Sequence, residues 1–127
     1  MQQEIIRTPD APGAIGPYVQ GRKVGPFFFS SGQIGLDPET GEFVGDDIES
    51  QTKRVLESIG ALVKAAGGGL TDIVKTTVFV KNIEHFGRIN EWYADFFNGH
   101  KPARSLVEAV RLPKDALIEI EFIAYVA

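Results

Sequence analysis

The chain has no cysteine among its 127 residues. Disulfides, thiolate nucleophiles and cysteine-ligated metals are therefore excluded. Histidine is nearly as scarce: His85 and His100 are the only two, which leaves a zinc site poorly supplied. Both read as ordinary surface residues, one in a helix and one at a helix end. Positive charge is limited as well. Lys and Arg number 13 against 17 Asp and Glu, a formal net charge of −4, which argues against the basic surface that non-specific nucleic-acid binding requires. Long apolar runs are missing too, so neither a signal peptide nor a membrane span is expected, and the expected location is cytoplasmic. No internal repeat or low-complexity segment occurs. The hydrophobic share, 43%, is that of a soluble globular protein. The length suits one domain, residues 1–127, with a core that needs no covalent staple.

The stretch from Pro102 to Ala124 carries the most chemistry. Its two halves have strand character, and the turn at Pro113–Asp115 lets the second fold back near the first. Arg104 stands in the first half, Glu119 and Glu121 in the second. A period of two puts both glutamates on one face, with Ile118, Ile120 and Phe122 on the other. Two readings follow. The glutamates are either the exposed face of a half-covered sheet, or the floor of a pocket. In the pocket a fork-shaped cation takes a carboxylate and an acid handles water.

Toward the N-terminus, Gln2–Arg7 is a short strand candidate, and Tyr18–Val24 with Phe27–Ser31 reads as a hairpin around Gly25-Pro26. The run Phe27–Phe29 suits a strand covered on both faces, by a helix on one and a second subunit or layer on the other. Residues 32–47 form a loop of the length that often lines a site. Asp46 or Asp47 then caps a helix whose apolar residues are Ile48, Val55, Leu56, Ile59, Leu62, Val63 and Ala66. Gly67-Gly68-Gly69 ends it; a phosphate loop is not indicated, because no Gly-Lys-Ser/Thr follows.

Ile73–Lys81 alternates and is rich in β-branched residues, which predicts a strand. Val74, Thr76, Val78 and Val80 on one side, and Ile73, Thr77 and Phe79 on the other, make both its faces substantially apolar. An oligomer is the expected consequence. Asn82 is placed to cap a second helix with the stripe Phe86, Ile89, Tyr93, Phe96 and Phe97, stopped by Asn98-Gly99. Asn90 lies one turn past Phe86, either a solvated helix residue or a ligand contact. The order β-β-β-α-β-α-β-β predicts an α+β fold: a mixed β-sheet with both helices packed on one face.

Several words fall together in order: Ile15-Gly16-Pro17-Tyr18-Val19-Gln20-Gly21, Ser30-Ser31-Gly32-Gln33-Ile34, Val74-Lys75-Thr76-Thr77-Val78-Phe79-Val80, Pro102-Ala103-Arg104-Ser105, Leu112-Pro113 and Ile118-Glu119-Ile120-Glu121. In this pattern the chain resembles, over essentially its whole length, the Rid family (reactive intermediate deaminases, also called YjgF-type proteins). The resemblance implies a chorismate-mutase-like fold, a homotrimer with its sheets around a central barrel, and pockets between subunits. The implied activity is that of the 2-iminobutanoate/2-iminopropanoate deaminases, hydrolysis of 2-imino acids and their 2-enamine tautomers to 2-oxo acids and ammonium. The implied partner is thus a small-molecule 2-imino or 2-oxo acid, with no cofactor, metal, nucleic acid or membrane. It further implies that Arg104 holds the substrate carboxylate and Glu119 orients or deprotonates water. Tyr18 and Ser31 would come from the pocket wall, backbone at Gly32 would contact the ligand, and Asn90 would assist at the rim.

One position departs from the pattern. Leu106 stands where many members carry a cysteine whose backbone helps bind the carboxylate; the same role passes to the Leu106 backbone, while its isobutyl group is expected to narrow the pocket. The segment 98–101 is short compared with some members, which implies a different rim. A non-catalytic trimeric binding protein for 2-oxo acids is the alternative that the same pocket allows. An RNA-cleaving role, proposed for some relatives, is disfavoured by the acidic balance.

Overall fold

Strands β1 (Gln3–Ile6), β2 (Gly21–Val24), β3 (Phe27–Ser30), β4 (Ile73–Val80), β5 (Ala103–Glu108) and β6 (Ile118–Tyr125) join in a single mixed sheet. Its order is β1-β2-β3-β6-β4-β5 in the computed structural model, which describes residues 2–127. The pairing is antiparallel except between β4 and β5, which are parallel. Two helices, α1 (Ile48–Ala65) and α2 (Phe86–Phe97), supply the second layer. None of the helices among the described residues is long and apolar enough to cross a membrane.

Local chemistry accounts for the helix limits. Asp47 caps α1 by accepting from the Ser50 amide at 3.0 Å, and Gly67, at φ +95°, lets the chain leave it. Asn98 stops α2 in the left-handed region at φ 47°. Asn82 does not cap α2 itself. Its side chain accepts from the Glu84 amide and caps a short 3-10 turn, Ile83–His85, that leads into the helix.

Both helices cover one face of the sheet. Val55, Leu56, Ile59, Leu62 and Val63 of α1, with Ile89, Tyr93 and Phe97 of α2, close on Phe28, Val78, Val80, Ile118, Ile120 and Phe122. On β6 the alternation is as the sequence predicts: Ile118, Ile120, Phe122 and Ala124 are buried under the helices, and Glu119 and Glu121 point to the open face.

β4 departs from simple alternation. A bulge between Ile73 and Lys75 puts Ile73 on the buried face with Thr76, Val78 and Val80, and leaves Val74 exposed. The open face of β4 is therefore Lys75, Thr77 and Phe79, less apolar than its sequence alternation predicts. Exposed apolar side chains cluster at the other end of the sheet, in Ile5, Phe27, Phe29 and Tyr125, each 40–47% exposed, with Val107 of β5 also exposed beside Phe79. Phe28 alone of the three phenylalanines is in the core, fully buried.

Three further expectations change. β5 and β6 are not neighbours, because β4 lies between them; the parallel β4–β5 pair needs the α2 crossover, so the turn at Pro113–Asp115 returns the chain beside β4. Tyr18 is not in a strand: β2 begins only at Gly21, and the Tyr18 amide donates to Gly16 O (2.8 Å) in a tight bend set by Pro17. His100 is not simply a surface residue. Its Nε2 lies 2.7 Å from Ile73 O and its ring packs beside Phe97, tying the start of β5 to the start of β4.

Candidate active site

The predicted site residues gather in two groups on opposite faces of the sheet. Register shows why. Arg104 pairs with Thr76, which pairs with Phe122, all on the helix-covered face; Glu119 pairs with Phe79 on the open face.

The first group is built on the edge strand β5. The guanidinium carbon of Arg104 lies 4.9 Å from the Tyr93 ring centroid and 5.7 Å from that of Phe86, so two aromatic faces of α2 hold the cation. Tyr93 is fixed in turn by a 2.6 Å hydrogen bond between its hydroxyl and Thr76 Oγ1. Burial raises the phenol's pKa above its ordinary value, with Thr76 and Arg104 opposing that shift. Asn90 lies between Phe86 and Tyr93 at helical spacing, on the same side of α2. The side chain of Leu106 packs against the main core, so its isobutyl group does not face the open side of β5. Its backbone does. Ala109 N donates to Val80 O at 2.8 Å, and alternation along a strand turns the backbone N–H groups of Arg104 and Leu106 away from β4, to the free sheet edge.

The second group surrounds Glu119. Ser30 Oγ accepts from the Phe122 amide (2.9 Å), and Gln33 pairs with Ile120 through both backbone bonds. Ser31 and Gly32, between these ties, swing out beside Glu119. A Cβ at Gly32 would collide with the Glu119 carboxylate; glycine is needed there for close approach, since its φ is not in the left-handed region. Ser31 Oγ donates to Val19 O at 2.6 Å and its amide donates to Gln20 O, so its hydroxyl has only lone pairs left to offer. The Tyr18 hydroxyl accepts from the Ile15 amide at 3.1 Å and keeps its own proton free. Tyr18, Gly32, Glu119, Gln33 and Pro113 line a cleft of about 50 Å³.

Neither charge is neutralised by another side chain among the described residues. The three ion pairs among the described residues use Lys53, Arg54 and Arg111, and no hydrogen bond there involves the side chain of Arg104 or Glu119. Both are half-buried.

Burial, and secondarily the Glu121 carboxylate, holds the Glu119 carboxyl above its ordinary value of 4.5. With the folded-state pKa the higher one, ionising Glu119 costs stability as pH rises through that value, and the cost is absent below the unfolded pKa. Glu119→Gln is therefore expected to melt at a higher temperature than the wild type at about pH 7, and to lose that advantage by about pH 4. Thermal unfolding of the two proteins at both pH values measures this; an advantage that is equal at both would contradict the assignment of the shift.

Sequence reasoning missed Phe86 and Tyr93, which it read as packing. Their spacing of seven on one face of α2, with Asn90 between, was the available signal. What it lacked was the parallel register that brings Arg104 against them.

Fold and site together define an α+β domain: one mixed sheet, helices on one face, and an aromatic-flanked cation and a half-buried carboxylate on opposite faces. The comparisons make this specific. The family profile described as Endoribonuclease L-PSP matches residues 8–126. A RutC family protein of Pyrococcus abyssi is 54% identical over 125 residues, 98% of each chain. A 2-iminobutanoate/2-iminopropanoate deaminase of Salmonella typhimurium is 52% identical over 124 residues, covering 95% of this chain and 96% of that one. The crystal structure of Escherichia coli TdcF with bound serine superposes with a TM-score of 0.93 at 48% identity, over 98% of this chain and 99% of that one. The chain belongs to the Rid (YjgF) family.

Proposed function

We propose that this protein hydrolyses small 2-imino acids and their 2-enamine tautomers to 2-oxo acids and ammonium. The observation that carries the reading is the pair of opposite charges, Arg104 and Glu119, each half-buried and neither in an ion pair among the described residues. The planar fork of Arg104 offers parallel N–H donors to the substrate carboxylate, with the outward Leu106 backbone N–H as a further donor. A raised pKa suits Glu119 to proton transfer nearer neutrality. The 50 Å³ cleft beside it has room for a water next to the carboxylate, as a site for the nucleophile should. The deaminase named among the relatives, and the amino acid bound to TdcF, are consistent with a small carboxylate-bearing ligand.

In the reaction the water oxygen bonds to the carbon of the protonated imine while Glu119 takes one water proton. The C=N π pair moves onto nitrogen. Glu119 then returns its proton to that nitrogen, the C–N bond breaks with its pair leaving on ammonia, and the remaining hydroxyl proton passes to the ammonia. The products are the 2-oxo acid and ammonium.

Opposite faces of one sheet cannot close on one small molecule. The reading therefore extends to a homotrimer of the chorismate-mutase-like kind, in which the Arg104 edge of one copy meets the Glu119 cleft of the next. Exposed Ile5, Phe27, Phe29 and Tyr125 on the open face support burial against another copy. The direct test is release of ammonium or oxo acid from imines generated in situ by an amino-acid oxidase. Acceleration by the protein is expected, and an unchanged rate would sink the reading.

The family description speaks of an endoribonuclease, and a second measurement addresses that. With a net charge of −4, binding to RNA is expected to be negligible near physiological salt. A tight, salt-sensitive gel shift would reverse the ranking.

A further inference from the structure

Residues 8–17 run between β1 and β2 with no regular secondary structure, and Pro9, Pro12 and Pro17 remove three of their amide donors. Carbonyls in such a segment have no strand to bond to, yet part of it is packed inward: Ala11 is only 2% exposed. A single side chain answers for three of them, while Arg54 Nη2 donates to Asp10 O (2.9 Å) and the Tyr18 amide to Gly16 O (2.8 Å). Gln20, 6% exposed, accepts at Oε1 from the Thr8 amide (2.8 Å), and the two hydrogens of its Nε2 are shared among Thr8 O (3.1 Å), Ala11 O (3.1 Å) and Pro12 O (2.8 Å). Its primary amide acts as the missing neighbour strand.

The backbone of the same residue faces the site. Gln20 O accepts from the Ser31 amide at 2.9 Å, and Ser31 Oγ donates to the adjoining Val19 O. Pro12 and Gly13, at the end of the clamped segment, line the Glu119 cleft with Tyr18. Gln20 thus joins the 8–12 strap on one side to the Ser31–Gly32 floor on the other. Few side chains can do this. Glutamate has no donor for three carbonyls, lysine has no acceptor for the Thr8 amide, and asparagine is one methylene short.

We infer that Gln20 is a positioning residue of the deaminase site: it touches no reacting atom, and it sets the cleft wall by holding the strap and Tyr18 in register with Gly32 and Glu119. The inference rests on the deaminase reading above. A loosened strap should weaken ground-state and transition-state binding alike, leaving turnover of the bound complex nearly intact.

The test compares wild type, Gln20→Met (similar length, no hydrogen bonds) and Gln20→Asn, with Leu56→Ala as a core variant that lowers stability away from the cleft. Hydrogen exchange at Thr8 is expected to rise at least about tenfold in Gln20→Met relative to wild type, with KM for an oxidase-generated imine up about tenfold and kcat within about threefold. Leu56→Ala should lower Tm and leave KM within about twofold, so a KM rise there to match would mean that Gln20 acts through general stability and would overturn the inference. Faster Thr8 exchange with an unchanged KM overturns it as well. Failure of both Gln20 variants to fold assigns the residue to the fold and overturns it too. A wild-type chain that does not accelerate hydrolysis overturns the deaminase reading itself, a result distinguishable from all of these.

Discussion

Arg104→Lys lowers kcat/KM for imine hydrolysis by about one to two powers of ten, while circular dichroism and assembly state match the wild type. The expectation follows from geometry. Lysine keeps the charge but has no planar pair of donors, so a substrate carboxylate is held by one mobile contact. Losing the second charge-assisted hydrogen bond costs roughly 1.5–3 kcal/mol, the stated rate loss if it is expressed in the transition state. The aromatic support is also specific to the flat cation: Tyr93 and Phe86 flank the guanidinium at 4.9 and 5.7 Å, whereas an ammonium has no plane to stack. The fold should survive, because Arg104 is on an edge strand and makes no ion pair among the described residues. Near wild-type activity in a folded Arg104→Lys protein would mean that the carboxylate is bound elsewhere.

Two variants inactive alone, Arg104→Ala and Glu119→Gln, should regain activity when they are unfolded and refolded together. Glu119→Gln keeps the shape of the side chain but cannot take a proton, so it is expected to lower kcat with little effect on binding of an unreactive 2-oxo acid. Arg104→Ala should lose that binding. If each pocket takes Arg104 from one copy and Glu119 from the next around a closed ring, a one-to-one mixture leaves about one quarter of the pockets with both native groups. The mixed sample should then show about a quarter of wild-type activity, far above either parent. No recovery on mixing, with mixed oligomers confirmed by mass, would show that both groups act from the same copy. That outcome would contradict the opposite-face geometry as the basis of the site.

The elements were largely legible in the sequence because their signals are local. The stripe from Val55 to Val63 follows a helical period, and Asp47 and Gly67 stand where a cap and a stop are needed. The alternation from Ile118 to Phe122 sorts itself by which side chains can leave water, and the structure buries the residues that alternation selects. Arg104 and Glu119 stood out for the same kind of reason: a charge set in an apolar strand is visible without knowing what lies across from it.

What only the tertiary structure decided depends on pairing between distant segments. The insertion of β4 between β5 and β6 separates Arg104 from Glu119, and the registers Arg104–Thr76 and Glu119–Phe79 put them on opposite faces. The bulge at Ile73–Lys75 moves one residue to the other face, a change of parity that no strand reveals by its own composition. Leu106 turned inward and Ser31 turned toward Val19 for the same reason: a side chain's direction is set by the strand or loop beside it. The amide of Gln20, bonded to Thr8 across 12 positions, has no local signature at all. Local chemistry decides which residues can form an element; the direction in which each functional group points is decided by contacts that the chain makes only after it has folded.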